Sequence, residues 1–195
     1  MPPLMTHPAD DPAIPITLAA LESLQPCDEG LLAFSECFPD GVALGEVPAI
    51  IRAGAPMQIR PYLGWWFAHF PLPPGTNLSN VDLGGADLFN ANLADTNLAG
   101  ANLESVNLAG ANLQGANLTR ADLGGANLLR ANLYNVDLSG ADISRARVID
   151  ADLSHANLAG ANLEGANLAG ADLRGAYLTG SNITEAQLAS AWRRP

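Results

Sequence analysis

The side chains able to do chemistry are few and scattered. His7, His69 and His155 fall in separate stretches, and no Ser/His/Asp order or Cys/His pair accompanies them. Cys27 and Cys37 are too few for a disulfide framework and lack the partners of a zinc site, so they read as reduced thiols of a cytoplasmic protein. Glycine pairs such as Gly84–Gly85 and Gly124–Gly125 would cradle phosphate only between a strand and a helix, a context the surrounding sequence does not provide. Carboxylates dominate: twenty acidic residues stand against nine basic ones, all arginine, for a formal net charge of −11. Direct nucleic-acid binding is not expected, because it needs a basic surface to neutralise phosphates. No catalytic constellation, cofactor or metal site rises above this background, and the expectation is a chain that is not an enzyme.

The carboxylates gain meaning from the pattern that places them. From Leu78 to Leu188 every fifth residue is Leu, Ile or Val, twenty-three in succession without a slip. Two places earlier stands a small residue, usually Ala, and one place earlier stands Asn or Asp, with Arg147, Tyr177 and Gln187 the exceptions. A helix advances about 100° per residue, so a period of five would spiral Leu around it. In a flat strand an odd period alternates faces. A chain that bends once per unit escapes both problems. The small residue and Leu then share the inner face, and Asn or Asp and the next two residues point outward. Asn, Asp and Gly suit the corners of such a coil.

The unit A-(N/D)-L-x-x, as in "ANLAG", "ADLGG" and "ANLEG", resembles the pentapeptide-repeat family over residues 76–190. That resemblance implies a mainly β fold: a right-handed quadrilateral β-helix with four units per coil and about six coils. At a strand spacing of ~4.8 Å the rod would be about 27 Å long.

Around the repeats, residues 1–15 are Pro-rich, carry Asp10 and Asp11, and read as a disordered tail. Residues 16–70 read as a small α-helical N-terminal domain, with Thr17 and Asp28 as helix caps and an aromatic helix starting near Pro61. Residues 71–75, "PLPPG", form a stiff linker. The open ends of a coil expose unpaired backbone groups, so Trp65 and Trp66 are expected to cover the first turn. Residues 184–195 are expected to cap the other end, overlapping the last repeat. Thr184 and Gln187 have capping-box spacing, which predicts a short helix from about Glu185 with Trp192 laid over the last coil. No apolar run reaches the ~18 residues of a membrane span, and the first residues lack the basic n-region of a secretory signal.

With twenty residues per coil, positions twenty apart stack. One face then gathers Asp82, Glu104, Asp122, Asp142, Glu164 and Glu185, half of the twelve acids that follow Gly75, with Arg145 its only base. Another aligns Phe89, Leu129 and Ile149 as an apolar contact face for a partner, a second copy or the N-terminal helices. The irregular "ARVID" unit, residues 146–150, marks a kink, an insertion or a contact. These surfaces suggest a scaffold or interaction module for an unidentified protein partner, with a homodimer as one form. The fluoroquinolone-resistance group of the same family resembles duplex DNA in shape and charge and binds DNA gyrase, and an acidic stripe is compatible with such mimicry. Seven arginines offset the twelve acids of the coil, however, and Leu, Ile or Val occupies the central position where that group often has Phe.

Overall fold

The computed structural model describes residues 72–191 together with 15–16, 42–43 and 67–68. From Gly75 to Gly180 the chain winds as a coil with a twenty-residue period. Parallel bridges join the residue before each central Leu to its counterpart twenty later, unbroken from Asn77↔Asn97 to Asn157↔Tyr177. Four units complete one turn, so the cross-section is quadrilateral, each side being too short to count as an extended strand.

The unit 101–105 shows why this sequence takes this path. Ala101 N–H closes a turn on Leu98 O at 3.0 Å, Asn102 N–H reaches back one coil to Val81 O at 2.8 Å, and Leu103 N–H reaches forward to Asp122 O at 2.7 Å. Ser105 N–H bonds Gly124 O at 2.8 Å. The remaining donor, Glu104 N–H, has no backbone acceptor and is taken by Asn102 Oδ1 at 3.1 Å. All five donors are satisfied, as a buried-edge backbone demands. The Asn/Asp rule therefore follows from a missing acceptor. The central Asn or Asp does not sit in the corner, as the sequence reading had it, but braces the corner from the side of the square.

The corner itself falls two residues after Leu. Every fifth residue from Gly75 to Gly180 has a φ between 55° and 77°, the sign pattern of a type II turn at its third position. Glycine takes this at no steric cost, while Arg120, Arg130, Arg145 and His155 take it at a cost of about 1 kcal/mol each. The "ARVID" unit keeps this geometry and its bridges to Asn127 and Asn167, so it contains neither kink nor insertion. It departs in a turn bond lengthened to 3.5 Å between Ala151 N–H and Val148 O, and in Arg147, which has no side-chain oxygen to brace Ile149 N–H.

Inside, the central residues from Leu78 to Leu168 are at most 2% exposed, and the small residues line the corners of the same core. A second ladder runs along the sides: Asn112 Nδ2 donates to Asn92 Oδ1 at 3.1 Å and Asn132 Nδ2 to Asn112 Oδ1 at 3.0 Å. An Asp can accept in this ladder but cannot donate, so each Asp that follows another central residue by twenty interrupts it.

Of the segment before the coil, β1 (Pro15–Ile16) pairs antiparallel with β2 (Val42–Ala43), Ile16 opposite Val42. Residues 67–68 are helical, and Phe67 is fully buried against the first coil, its carbonyl accepting Asn92 N–H at 3.2 Å. The helices expected around Thr17 and Asp28, the 1–15 tail, and Trp65 and Trp66 lie outside the described residues, apart from these few positions.

At the other end, α1 (Glu185–Ser190) starts with both halves of the capping box made: Gln187 N–H donates to Thr184 Oγ1 and Thr184 N–H to Gln187 Oε1. Gln187 also turns its amide onto the coil, Nε2 donating to Leu163 O at 2.7 Å and Ala166 O at 2.9 Å. Leu163 O also accepts Ala166 N–H at 3.0 Å, whereas Ala166 O would otherwise face an empty next turn. Trp192 lies outside the described residues, and the chain before it is held by the buried Ala191.

Candidate interaction surface

Each candidate residue inherits its position from the coil. Asp82, Glu104, Asp122, Asp142 and Glu164 lie on one side of the square, with Asp122 bridged directly to Asp142. Glu185 leaves that line, because it is the first residue of α1. The aspartates are engaged in the fold. Asp82 Oδ1 accepts Gly84 N–H at 3.1 Å and Asn102 Nδ2 at 2.9 Å. Asp142 Oδ1 accepts Ser144 N–H at 2.9 Å and Asn162 Nδ2 at 3.1 Å, and Asp122 Oδ1 accepts Gly124 N–H at 2.9 Å. Only Glu104 and Glu164, one position past Leu, extend outward as exposed carboxylates without a bracing task. The acidic face is thus largely the brace system of the coil seen from outside.

The apolar line is uneven. Phe89 is 52% exposed, whereas Leu129 and Ile149 are half-buried and Ala109, between Phe89 and Leu129, is buried. Phe89 stands near the N-terminal end, where Phe67 already covers the first turn.

Two further groupings were not singled out in the sequence. On the side carrying residues 151–155 and 171–175, Asp150, Asp152 and Asp172 line a recess of about 340 Å³. Arg174 chelates Asp172 through Nε, at 2.9 Å from both oxygens, and through Nη2. The hydrogen bonds and charge of Asp172 raise the Arg174 guanidinium above its ordinary value. Asp152 Oδ1 takes Ser154 N–H at 2.9 Å, and Arg130 Nε stands 3.9 Å from Asp150 Oδ2, an exposed pair worth at most about 1 kcal/mol. Among the described residues no group of three His, Cys, Asp or Glu side chains is arranged to hold a metal ion.

Around the next corner Tyr177 and His155 join Asn135, Asp137, Asn157 and Thr179 in a shallow recess of about 490 Å³. Tyr177 is 67% exposed, and the His155 ring meets Tyr134 edge-on with centroids 5.5 Å apart. Tyr177 was visible in the sequence as an exception to the Asn/Asp rule. His155 was visible as a lone histidine, but nothing in the columns joined them. They are twenty-two residues apart, one coil plus a corner. Among the described residues, no helix is long and apolar enough to cross a membrane.

The sequence matches the family model described as pentapeptide repeats in eight copies, over residues 76–115, 86–125, 111–148 and 149–184. These spans cover more than half of the chain, which therefore belongs to the pentapeptide-repeat family. Its members adopt a right-handed quadrilateral β-helix and are generally structural or interaction modules. The chain is similar to the pentapeptide repeat protein Rfr23 from the cyanobacterium Cyanothece 51142, with 27% identity over 57% of this chain and 83% of that one and a TM-score of 0.42. It is also similar to HetL from Nostoc sp. strain PCC 7120, a protein involved in heterocyst differentiation regulation, with 36% identity over 54% of this chain and 62% of that one and a TM-score of 0.25. A likeness to QnrB1, a plasmid-mediated fluoroquinolone resistance protein, has 18% identity over 57% of this chain and 79% of that one and a TM-score of 0.27. No curated protein matches the chain.

Proposed function

We propose that this chain is a non-enzymatic protein-interaction module that presents ordered outward side chains to a protein partner in the cytoplasm. The observation that carries this reading is the division of work within each unit. One backbone geometry repeats at every corner from Gly75 to Gly180, and the Leu and small residues serve only the interior. The residues after Leu are then held at fixed intervals on a stiff support, the pre-organisation that lowers the entropic cost of association. Capture from the native host by the immobilised full chain tests it, with a Glu104→Gln/Glu164→Gln/Tyr177→Asn copy as the comparison. The module reading expects a defined protein that the altered copy loses. Equal capture by both, or by neither, counts against it.

A second reading, DNA mimicry toward gyrase, draws its support from the line of Asp82, Glu104, Asp122, Asp142 and Glu164 along one side of the rod. Purified gyrase whose supercoiling is untouched by micromolar protein would remove it. Self-association through the apolar line is the third surface to check. Light scattering of the Phe89→Ser/Leu129→Ser double variant should then show a smaller particle than the parent.

A further inference from the structure

The recess at Tyr177 is where the chain departs from the repeat at the fold's own expense. At position 177 an Asn or Asp would brace Thr179 N–H, and an Asn would also donate to Asn157 Oδ1, as Asn182 does to Asn162 at 2.7 Å. Tyr177 does neither, although its backbone keeps the bridge to Asn157. It instead places a phenol ring on the surface, 67% exposed. At position 155 the corner φ is +60°, which glycine would take without strain. His155 is there instead, wedged between Tyr134 and the bare Cα of Gly175, where an added Cβ would lie 2.8 Å from His155 Nδ1. Both departures line the same recess of about 490 Å³. That volume is within the ~300–1,000 Å³ usual for ligand sites.

The floor of the recess is a carboxylate with capacity left. Asp137 accepts Ser139 N–H at 2.9 Å and Asn157 Nδ2 at 3.1 Å, both on Oδ1. Oδ2 accepts no hydrogen bond from the described residues. No basic side chain except His155 lines the recess, and the neighbouring side of the rod adds Asp150, Asp152 and Asp172. Arg174, the nearby cation, is already chelated by Asp172. A carboxylate oxygen and an exposed tyrosine ring, two coils apart in one recess with an acidic surround, can together receive a planar cation. The guanidinium plane stacks on the ring while its N–H fork bonds the carboxylate.

We propose that this recess receives an arginine side chain from a basic, extended segment of the partner protein. The proposal rests on the interaction-module reading and gives it a specific contact. Asp137 Oδ2 accepts the guanidinium hydrogen bonds, Tyr177 supplies the stacking face, and His155, packed edge-on against Tyr134, adds a further lining ring. A phosphate-bearing partner is disfavoured by the same carboxylates.

The test is an NMR titration of the full-length protein with the peptide N-acetyl-Gly-Arg-Gly-amide and its citrulline counterpart, which keeps the shape and loses the charge. The His155 and Tyr177 ring signals should shift saturably with the arginine peptide and about fivefold less with citrulline. Asp137→Asn keeps the Oδ1 that accepts Ser139 N–H and Asn157 Nδ2, so this variant retains the brace and should not weaken the fold. It should reduce affinity for the arginine peptide by about tenfold, the scale of a charge-assisted hydrogen bond. Equal shifts with citrulline, an unchanged affinity in Asp137→Asn, or shifts at Glu104 and Glu164 in place of Tyr177 would overturn the assignment. If the recess ignores the peptide while a host protein is still captured through Glu104 and Glu164, the assignment fails and the module reading stands. If peptide binding depends on Asp137 but no host protein competes for it, the recess stands and the module reading fails.

Discussion

The acidic side of the coil and the Tyr177 recess are both polar surfaces on the same support, yet they arise from opposite causes. On the acidic side Asp82, Asp122 and Asp142 occupy positions where the backbone lacks an acceptor, and each carboxylate supplies one. Remove the charge, keep the oxygen, and the fold has all it needs. At the recess, Tyr177 gives up both the brace and the ladder, and His155 occupies a corner that glycine would fill more easily. A run of like charges on a repeat protein is therefore weak evidence of a binding face, while a costly exception to the repeat is strong evidence.

This contrast can be broken at its stronger end first. Asp142→Ala should strand Ser144 N–H and Asn162 Nδ2 and lower stability by about 1–2 kcal/mol, whereas Asp142→Asn, which retains Oδ1, should leave the thermal midpoint close to the parent's. Equal losses in the two variants would show that charge, not the brace, matters at this position. The next effect has the opposite sign. Tyr177→Asn restores an acceptor for Thr179 N–H and a donor for Asn157 Oδ1, and should raise stability by about 0.5–1.5 kcal/mol in denaturant unfolding. A destabilised variant would mean that the tyrosine serves the fold after all. The smallest effect belongs to Glu104→Gln/Glu164→Gln, whose stability should stay within about 0.5 kcal/mol of the parent in the same assay. A larger shift would indicate that these two side chains also belong to the support.

Much of the coil could be read directly from the chain, because a strict period of five leaves one solution once helix and flat strand are excluded. The inner face, the stacking of positions twenty apart and the Thr184/Gln187 spacing were all visible in the residues. The role of Asn and Asp was misplaced. Their frequency suggested corners, but the corner is two residues beyond Leu, and only the hydrogen bond from Glu104 N–H to Asn102 Oδ1 shows what the central side chain does. The second task of Gln187, on Leu163 O and Ala166 O, depends on where the coil ends and leaves Ala166 O open, and no local spacing encodes that. Asp137, Asn157 and Tyr177 share one column of twenty, and only their link to His155 was hidden, for a geometric reason. Stacking by twenties collects residues along one side, but His155 and Tyr177 meet across an edge, so their separation of twenty-two belongs to no column. The Trp residues expected at the two ends fall outside the described positions; at the N-terminal end Phe67, next to Trp66 in sequence, fills the buried place.

The quadrilateral bridge pattern has a consequence for how such a chain changes by inheritance. Because the units repeat the same backbone bridges and inner residues, loss or duplication of one whole unit leaves the interior intact. Everything downstream, however, moves on by a quarter turn. Deleting one unit between Asp137 and Tyr177 would carry the tyrosine to a different side of the rod from its carboxylate, with no penalty inside to report the error. A lineage of these chains can therefore reshuffle its surface in single genetic steps while stability stays nearly constant. Any contact built across coils persists only where the number of units between its residues is preserved.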